Sequence, residues 1–581
     1  MNSTSSSAAA KGLRGQLSAA GVVIGCMGCV IITASSVYTA LKMGSLPWPT
    51  IFTSVTALVL LRACGRTSLN EANITQIIMS AGSMVAGGLA FTIPGIWMLG
   101  LADETSFVDM LLVALAGTLL GLVCTALIRR RFVEESELEY PIGMAAAETL
   151  EASRAGHGTG TRLFGSMAFA GAWAVVRDVL GWIPTMLCSL NIPGVTFGIY
   201  NSPMMLSVGF LVGTGAVAFW LLGAVLGNFG IIVGGSALGL WTTDTASGIV
   251  SSLGMGLMMG SGVGVVLKDV LPQFVGAARG RRAASDDAEA DDTAAGNGAA
   301  RRSGAGSDGT PRSSWFADLT GRYDAGVLGL FVAAAALIIC FGLGLGPLVA
   351  VVVVLFSFMT TVMSAQAVGQ TGIDPMEIFG LIVLLVVAAI SSATQVQLFF
   401  VAGVIAVACG LAGDVMSDFK TGQLIGTDPR AMWFGQAIGA LLGVVVSTAT
   451  LYALYAAYGP DAFGSGQLFV SAQASVVATM VSGIPSMPAF WLGLVGGVAL
   501  YLAGLPAMML GLGVYLPFYM TFSSSLGAAV KLVYDAVQRR RGKDPAASEE
   551  SGIVVASGLL GGESIVGVII ALASVATGLL G

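Results

Sequence analysis

Histidine is almost missing from this chain: one residue, His157, among 581. A proton relay would therefore have to rest on carboxylates, and a histidine-based zinc site is excluded, as no HExxH occurs. Charge is also scarce. Only 10% of residues are Asp, Glu, Lys or Arg, against about 25% in soluble domains, too little to coat a soluble surface. The net charge of -6 is spread thinly and points to no nucleic-acid partner. Seven cysteines, an odd number scattered through apolar segments, make no disulfide framework. The Cys26-x-x-Cys29 pair inside an apolar run reads as small residues on a helix interface. No GxxxxGK[ST] loop is present, so ATP-driven pumping lacks its phosphate cradle. Glycine-rich 259–266 reads as packing, not as a dinucleotide loop. Nothing here predicts an enzyme, a cofactor or a bound structural metal.

What is present is apolar. Hydrophobic residues make up 55% of the chain, with 81 glycines and a mean hydropathy of +0.86. Glycine at this level suits close helix packing in lipid. Long apolar runs at this depth can satisfy their backbone only as helices. The predicted fold is all-α and polytopic, with about sixteen spans in two repeated halves and re-entrant half-helices. Spans are expected near 17–40, 46–64, 72–98, 107–128, 162–190, 203–226, 228–241 and 247–271. After a break they resume near 324–343, 346–366, 376–392, 396–413, 430–455, 488–505, 510–533 and 553–579. Segment 228–241 is short enough to be re-entrant, while 141–152 and 468–483 read as half-helices. No cleavable signal peptide is evident before the first span.

Basic residues alternate between the ends of these spans. Lys11 and Arg14, Arg62 and Arg66, Arg129–Arg131, Arg279–Arg282 and Arg539–Arg541 fall on one side, and loops 99–106, 191–202 and 456–467 carry no Lys or Arg. The positive-inside rule then places the amino terminus in the cytoplasm of a bacterial inner-membrane protein, with Lys42 as the exception. Residues 276–323 are polar, rich in Ala, Gly, Ser, Asp and Arg, and read as a disordered cytoplasmic linker. It divides a transmembrane half at 1–275 from another at 324–581.

The halves resemble each other. Gly44-x-x-Pro47 recurs as Gly372-x-x-Pro375, and Gln76 with Ala81-Gly82 recurs as Gln397 with Ala402-Gly403. Met110, Gly117, Leu120-Gly121 and Val123 recur as Met432, Gly439, Leu442-Gly443 and Val445, and Ser261-x-Val263-Gly264-Val265 as Ser564-x-Val566-Gly567-Val568. Equal order predicts an internal duplication. Similar span orientation predicts parallel repeats about an axis along the membrane normal.

A charge within a span costs about 2.5–3.5 kcal/mol on insertion scales, so each needs a reason. In the segment 137–152, Pro141 after Tyr140 can open a short helix that carries Glu148. Arg177 and Asp178 are adjacent in the fifth span. Neighbours on a helix do not face each other, which predicts separate partners. Asp414 and Asp418 stand four apart on one helix face, near Lys420, and could share a proton. Glu563 is the acid of the last span, set among glycines. Gln76 and Gln436 are uncharged polar groups on span faces that could bind amides or bridge helices.

Four stretches together resemble the oligopeptide transporter family, whose other branch is the yellow stripe-like metal-chelate transporters. They are 70–95 (NEANITQIIMSAGSMVAGGLAFTIPG), 138–150 (LEYPIGMAAAETL), 417–430 (SDFKTGQLIGTDPR) and 557–569 (SGLLGGESIVGVI). They lie in family order across nearly the whole chain. The NPG and KIPPR strings of the eukaryotic peptide branch are absent, and the linker is an addition outside the core. The resemblance implies proton-coupled uptake of short peptides or metal-chelate complexes through about sixteen helices. Its partners would be substrate, protons and lipid, with a homodimer left open. A channel or receptor without coupled transport is the alternative from another class. The orientation is testable in intact cells. A cysteine placed in the linker, Ser303→Cys, should resist an impermeant thiol reagent until the cells are permeabilised; rapid labelling from outside would reverse the topology.

Overall fold

The computed structural model describes residues 16–44, 49–136, 138, 140–153, 159–265, 267–268, 325–371, 374–464, 466–482 and 484–580. Lys11, Arg14, His157, Gly372 and the 276–323 linker lie outside the described residues, as does the side chain of Glu148. The first half comprises α1 (Ala19–Met43), α2 (Pro49–Ala63), α3 (Leu69–Ala90), α4 (Pro94–Met98), α5 (Phe107–Arg129), α6 (Pro141–Ser153) and α7 (Thr159–Ala174). A hairpin of β1 (Met186–Ile192) and β2 (Val195–Tyr200) follows, then α8 (Pro203–Val212), α9 (Thr214–Ala224) and α10 (Thr243–Val265). The second half holds α11 (Ala325–Leu337), α12 (Gly346–Thr371), α13 (Met376–Ile390), α14 (Gln395–Ala412), α15 (Val415–Ile425) and α16 (Pro429–Tyr458). It ends with α17 (Ala472–Ser482), α18 (Met487–Leu502), α19 (Ala507–Tyr515), α20 (Phe518–Arg540) and α21 (Pro545–Leu580).

Among the described residues ten helices are long and apolar enough to cross a membrane, and five shorter apolar helices accompany them. The sequence count of sixteen is not reached by that criterion, because Gly and Pro interrupt the runs. Gly213, at φ +92, separates α8 from α9. The run from Thr214 to Ala237 is then a single span, winding through a π turn at Val225–Gly234. Segment 228–241 continues that helix as far as Ala237. The expected span 162–190 stops at a π turn, Val175–Val179, and the chain enters the hairpin instead. Pro193-Gly194, with Gly194 at φ +75, provides its two-residue turn. The half-helix expectations at 141–152 and 468–483 correspond to α6 and α17.

Helix order repeats across the halves, but the sense of threading does not. Helices α3 and α14, which carry the Gln–Ala-Gly match, run antiparallel: Met84 meets Gly410, Gly88 meets Val407 and Thr92 meets Gly403. Helices α5 and α16 likewise oppose each other, with Phe107 against Tyr452 and Thr125 against Gln436. The repeats are therefore inverted, with a pseudo-two-fold axis in the membrane plane, and not parallel as the sequence suggested. The physical reason is an odd crossing. Helix α11 has no counterpart before α1 among the described residues, so the second half begins on the other side.

Interlocking is reciprocal. Helix α3 packs in parallel on α16, and α14 packs in parallel on α5. The closest steps are Ile74–Gly435, Ile78–Gly439 and Gly82–Gly443 in one pair, and Val113–Gly403 and Gly117–Val404 in the other. Helices α7 and α21, and α10 and α18, repeat the arrangement through Gly558 and Gly562 and through Gly256 and Gly260. Small residues let these backbones meet, since lipid supplies no hydrophobic drive between helices. Arg62, Arg129–Arg131, Arg430 and Arg539–Arg541 collect at the helix ends beside Gln16, which accepts from Asp428 N–H at 2.8 Å. The opposite end holds the ends of α1 and α16.

A Cβ at Gly443 would stand 2.4 Å from the Gly82 Cα, with backbone on both sides. Gly443→Val should lower stability in detergent by about 1–3 kcal/mol or abolish expression. Gly215→Ala, with nothing within 4 Å of the new methyl, should be neutral. Thermal unfolding of the two purified variants measures the contrast.

Candidate functional site

Two polar cores interrupt this apolar packing. The first forms where α1, the π turn after α7, α8 and α21 converge. Gly558 and Gly562 bring α21 onto the backbone of α7, and Gly567 lies under the Tyr38 ring. Thr39 and Ser564 hydroxyls bond at 2.8 Å, fixing α1 against α21. Glu563 is thereby set at the amino terminus of α8. It accepts from the Ser202 hydroxyl at 2.8 and 2.9 Å and from Met204 N–H at 2.8 Å. Pro203 at the first position and Ser202 at the cap give α8 a defined start, and its free N–H groups favour an anion there.

Arg177 answers that carboxylate at 2.8 Å. Its guanidinium also donates to both Asp178 oxygens at 2.6 Å and to the Asn201 carbonyl at 2.6 Å, and lies 5.4 Å from the centre of the Tyr200 ring. The expectation that Arg177 and Asp178 take separate partners is corrected. Arg177 does reach a separate partner in Glu563, but it also pairs directly with Asp178, since a long guanidinium side chain can meet both carboxylates at once. Its buried charge is matched by two carboxylates, of which Asp178 faces outward.

Lys42 lies in the same core. It is 5% exposed, and its ammonium stands 5.7–5.8 Å from the ring centres of Tyr38, Tyr200 and Phe469. Among the described residues it makes no ion pair or hydrogen bond. The sequence reading had treated it as an exception to loop charge; it is instead a buried cation at the end of α1.

The second core is acidic and surrounds the break between α14 and α15. Asp418, fully buried, accepts from Gln76 Nε2 at 2.6 Å and from the Ser80 hydroxyl at 2.5 Å. Ser364 donates to Asp374 at 2.7 Å, and Gly413 at the break leaves no room for a Cβ beside both. Asp414 follows at the start of α15, and Lys420 is half-buried one turn beyond Met416. Gly143 of α6 packs on Ser417 and Lys420, and Thr421 donates to its carbonyl at 2.9 Å. Gln436 bridges helices, donating to Thr125 Oγ1 and to the Leu411 carbonyl. Glu377, absent from the sequence expectations, is buried at the start of α13. Residues Glu563, Arg177 and Asp178 thus share one core, and Asp414, Asp418 and Gln76 the other, approached by Lys420. Glu148 is on α6.

Tyr140 and Pro141 open α6 as expected, and the geometry has a counterpart. Tyr140, at φ +50, donates its N–H to the Gly369 carbonyl of α12 at 2.9 Å. Ser471, at φ +45 before α17, donates to the Leu41 carbonyl of α1 at 2.8 Å. Leu41 and Gly369 are the same position of the repeat, each three residues before its Gly-x-x-Pro. Tyr38, Lys42, Tyr200, Phe469 and Ser471 were not legible as a site from sequence, because they come from three segments far apart in the chain.

Inverted repeats, discontinuous helices and charged groups buried between them define a polytopic membrane protein built as transporters are. The chain belongs to the OPT oligopeptide transporter family, whose match extends over residues 16–574. A candidate oligopeptide transporter of Haemophilus influenzae is 26% identical over 93% of each chain. A metal-nicotianamine transporter of Arabidopsis thaliana is 36% identical over a segment that is 16% of this chain and 15% of its own.

Breaking the Arg177–Glu563 pair from one side should be worse than removing both. Arg177→Met leaves a buried carboxylate and should cost about 3–5 kcal/mol. Arg177→Met with Glu563→Gln should recover part of it. Unfolding temperatures of the singles and the double close the cycle.

Proposed function

We propose that the protein is a proton-coupled secondary transporter that imports short oligopeptides across the inner membrane. The observation that carries this reading is the first polar core. Two cations and a carboxylate, Lys42, Arg177 and Glu563, are buried between the halves with Asp178 at their edge, where charge is retained only at a cost. A short zwitterionic peptide presents the complementary pair of charges. Similarity along the full length to the Haemophilus influenzae protein supports the peptide class. The local match to the metal-nicotianamine transporter favours a second reading, uptake of metal chelates, whose carboxylates and amines offer the same groups.

Reconstitution separates these readings. Proteoliposomes should accumulate labelled tetraalanine when the outside is made acidic and lose accumulation when a protonophore collapses the gradient. Accumulation of an iron chelate in its place would select the second reading, and gradient-independent equilibration of either would select a channel. Glu148 and Glu563 are the proposed proton carriers. Glu148→Gln and Glu563→Gln keep size and hydrogen bonding but cannot titrate. At least one should abolish gradient-driven uptake while counter-flow exchange remains measurable. If both accumulate like wild type, the carriers lie elsewhere, with Asp414 and Asp418 next.

A further inference from the structure

We infer that the junction of α1 with α17 is the receptor for a substrate carboxylate, formed by Lys42, the Ser471 hydroxyl and the first turn of α17. The inference rests on the transport reading above and deepens it, because a free carboxylate is common to the peptide and chelate classes.

The two repeats provide an internal comparison. At the α12–α6 junction, the Tyr140 N–H bonds to Gly369 and its hydroxyl donates to the Ala365 carbonyl at 3.2 Å. The next residue, Pro141, has no N–H to offer. Both Tyr140 donors are thereby satisfied. At the α1–α17 junction the same backbone bond forms, from Ser471 to Leu41, but the remaining groups are unmatched. The Ser471 hydroxyl is 1% exposed and has no hydrogen-bond partner. The Gln473 Oε1 is buried and unpartnered while its Nε2 donates to the Gly44 carbonyl. Lys42, one residue beyond Leu41, makes no ion pair among the described residues, although Glu563 and Asp178 share its core. The equivalent repeat position is the uncharged Gln370.

Buried polar groups are almost always satisfied, and a buried cation more strictly still. Two unsatisfied buried oxygens and an ammonium with no ion pair, gathered at one helix start where first-turn N–H groups have no intrahelical acceptor, describe the chemistry of an absent ligand carboxylate beside an N–H group. Tyr38, Tyr200 and Phe469 hold the ammonium without neutralising it, since ring faces attract a cation but accept no salt bridge. The unpaired Gln473 oxygen suits an amide or ammonium N–H beside that carboxylate. The same face of α17 borders open space further along the helix. A cavity of about 320 Å³ is bounded by Ser475 and Thr479, one and two turns beyond Ser471, and by Met98, Phe463 and Gln467.

The test uses the purified full chain. Binding of tetraalanine, its carboxy-terminal amide and iron-loaded nicotianamine is measured by thermal shift, and counter-flow is measured in parallel. Wild type should bind a free acid about tenfold or more tightly than the amide, a charge-assisted contact's worth. Lys42→Gln should bind the acid as weakly as the amide, Lys42→Arg should keep the preference, and Ser471→Ala should reduce it severalfold. Should Lys42→Gln fail to fold, the Ser471→Ala and Lys42→Arg comparison carries the test. An undiminished acid preference in Lys42→Gln and Ser471→Ala, or no binding of either carboxylate to wild type, overturns the receptor. Lys42-dependent binding without counter-flow upholds the receptor and overturns the transport reading.

Discussion

In hydrocarbon every backbone N–H and C=O must find a partner within the protein. A helix that begins half-way through the bundle breaks that rule unless another segment receives its start. Here the two half-helices α6 and α17 begin at residues held in left-handed conformations, Tyr140 and Ser471. Such a backbone costs of order 1–3 kcal/mol and persists only where its surroundings fix it. Each is fixed by one hydrogen bond, to Gly369 or Leu41, at matching places in the repeat. Because α6 belongs to the first half and its acceptor to the second, and the reverse holds for α17, neither half can satisfy itself. The crossed packing of α3 on α16 and α14 on α5, with glycines at the close steps, follows from the same mutual dependence.

The sequence disclosed the repeats but not their sense. Matched motifs preserve order along the chain, and order is blind to direction in the membrane. Direction depends on the parity of crossings, which turns on whether α11 is an addition and whether breaks at Gly213 or Leu516-Pro517 end a span. Apolar composition does not mark those places. The half-helices were legible because Pro141 and a short polar-flanked run punctuate them. The hairpin was not, although Pro193-Gly194 is a turn signal, because β1 continues an apolar run into Cys188 and Leu190.

The same limit explains the site. Single charges in apolar runs were visible, so Glu563, Arg177, Asp178, Asp414 and Asp418 were found. Their grouping was not, since Glu563 and Ser202 are joined only by the docking of α21 on α8. Lys42 was visible too, but from sequence it stands only as the exception to the alternation of basic residues. What sets it apart is its surroundings: a ring from α1, one from β2 and one from the segment before α17 enclose it.

An inverted pair of repeats could hold two related sites, one at each junction. Divergence has left them unlike. At one junction both Tyr140 donors are bonded, and the sequence has Gln370 where the other has Lys42. The other retains a cation, a hydroxyl and an amide oxygen without partners, beside an ion pair whose arginine is already committed to Glu563 and Asp178. In the acidic core, Gln76 and Ser80 both donate to Asp418 and tie α3 to α15. At the α1–α17 junction the unpartnered Ser471 hydroxyl and Gln473 oxygen stand beside a cation, which sets it apart from the α12–α6 junction, where the repeat has Gln370.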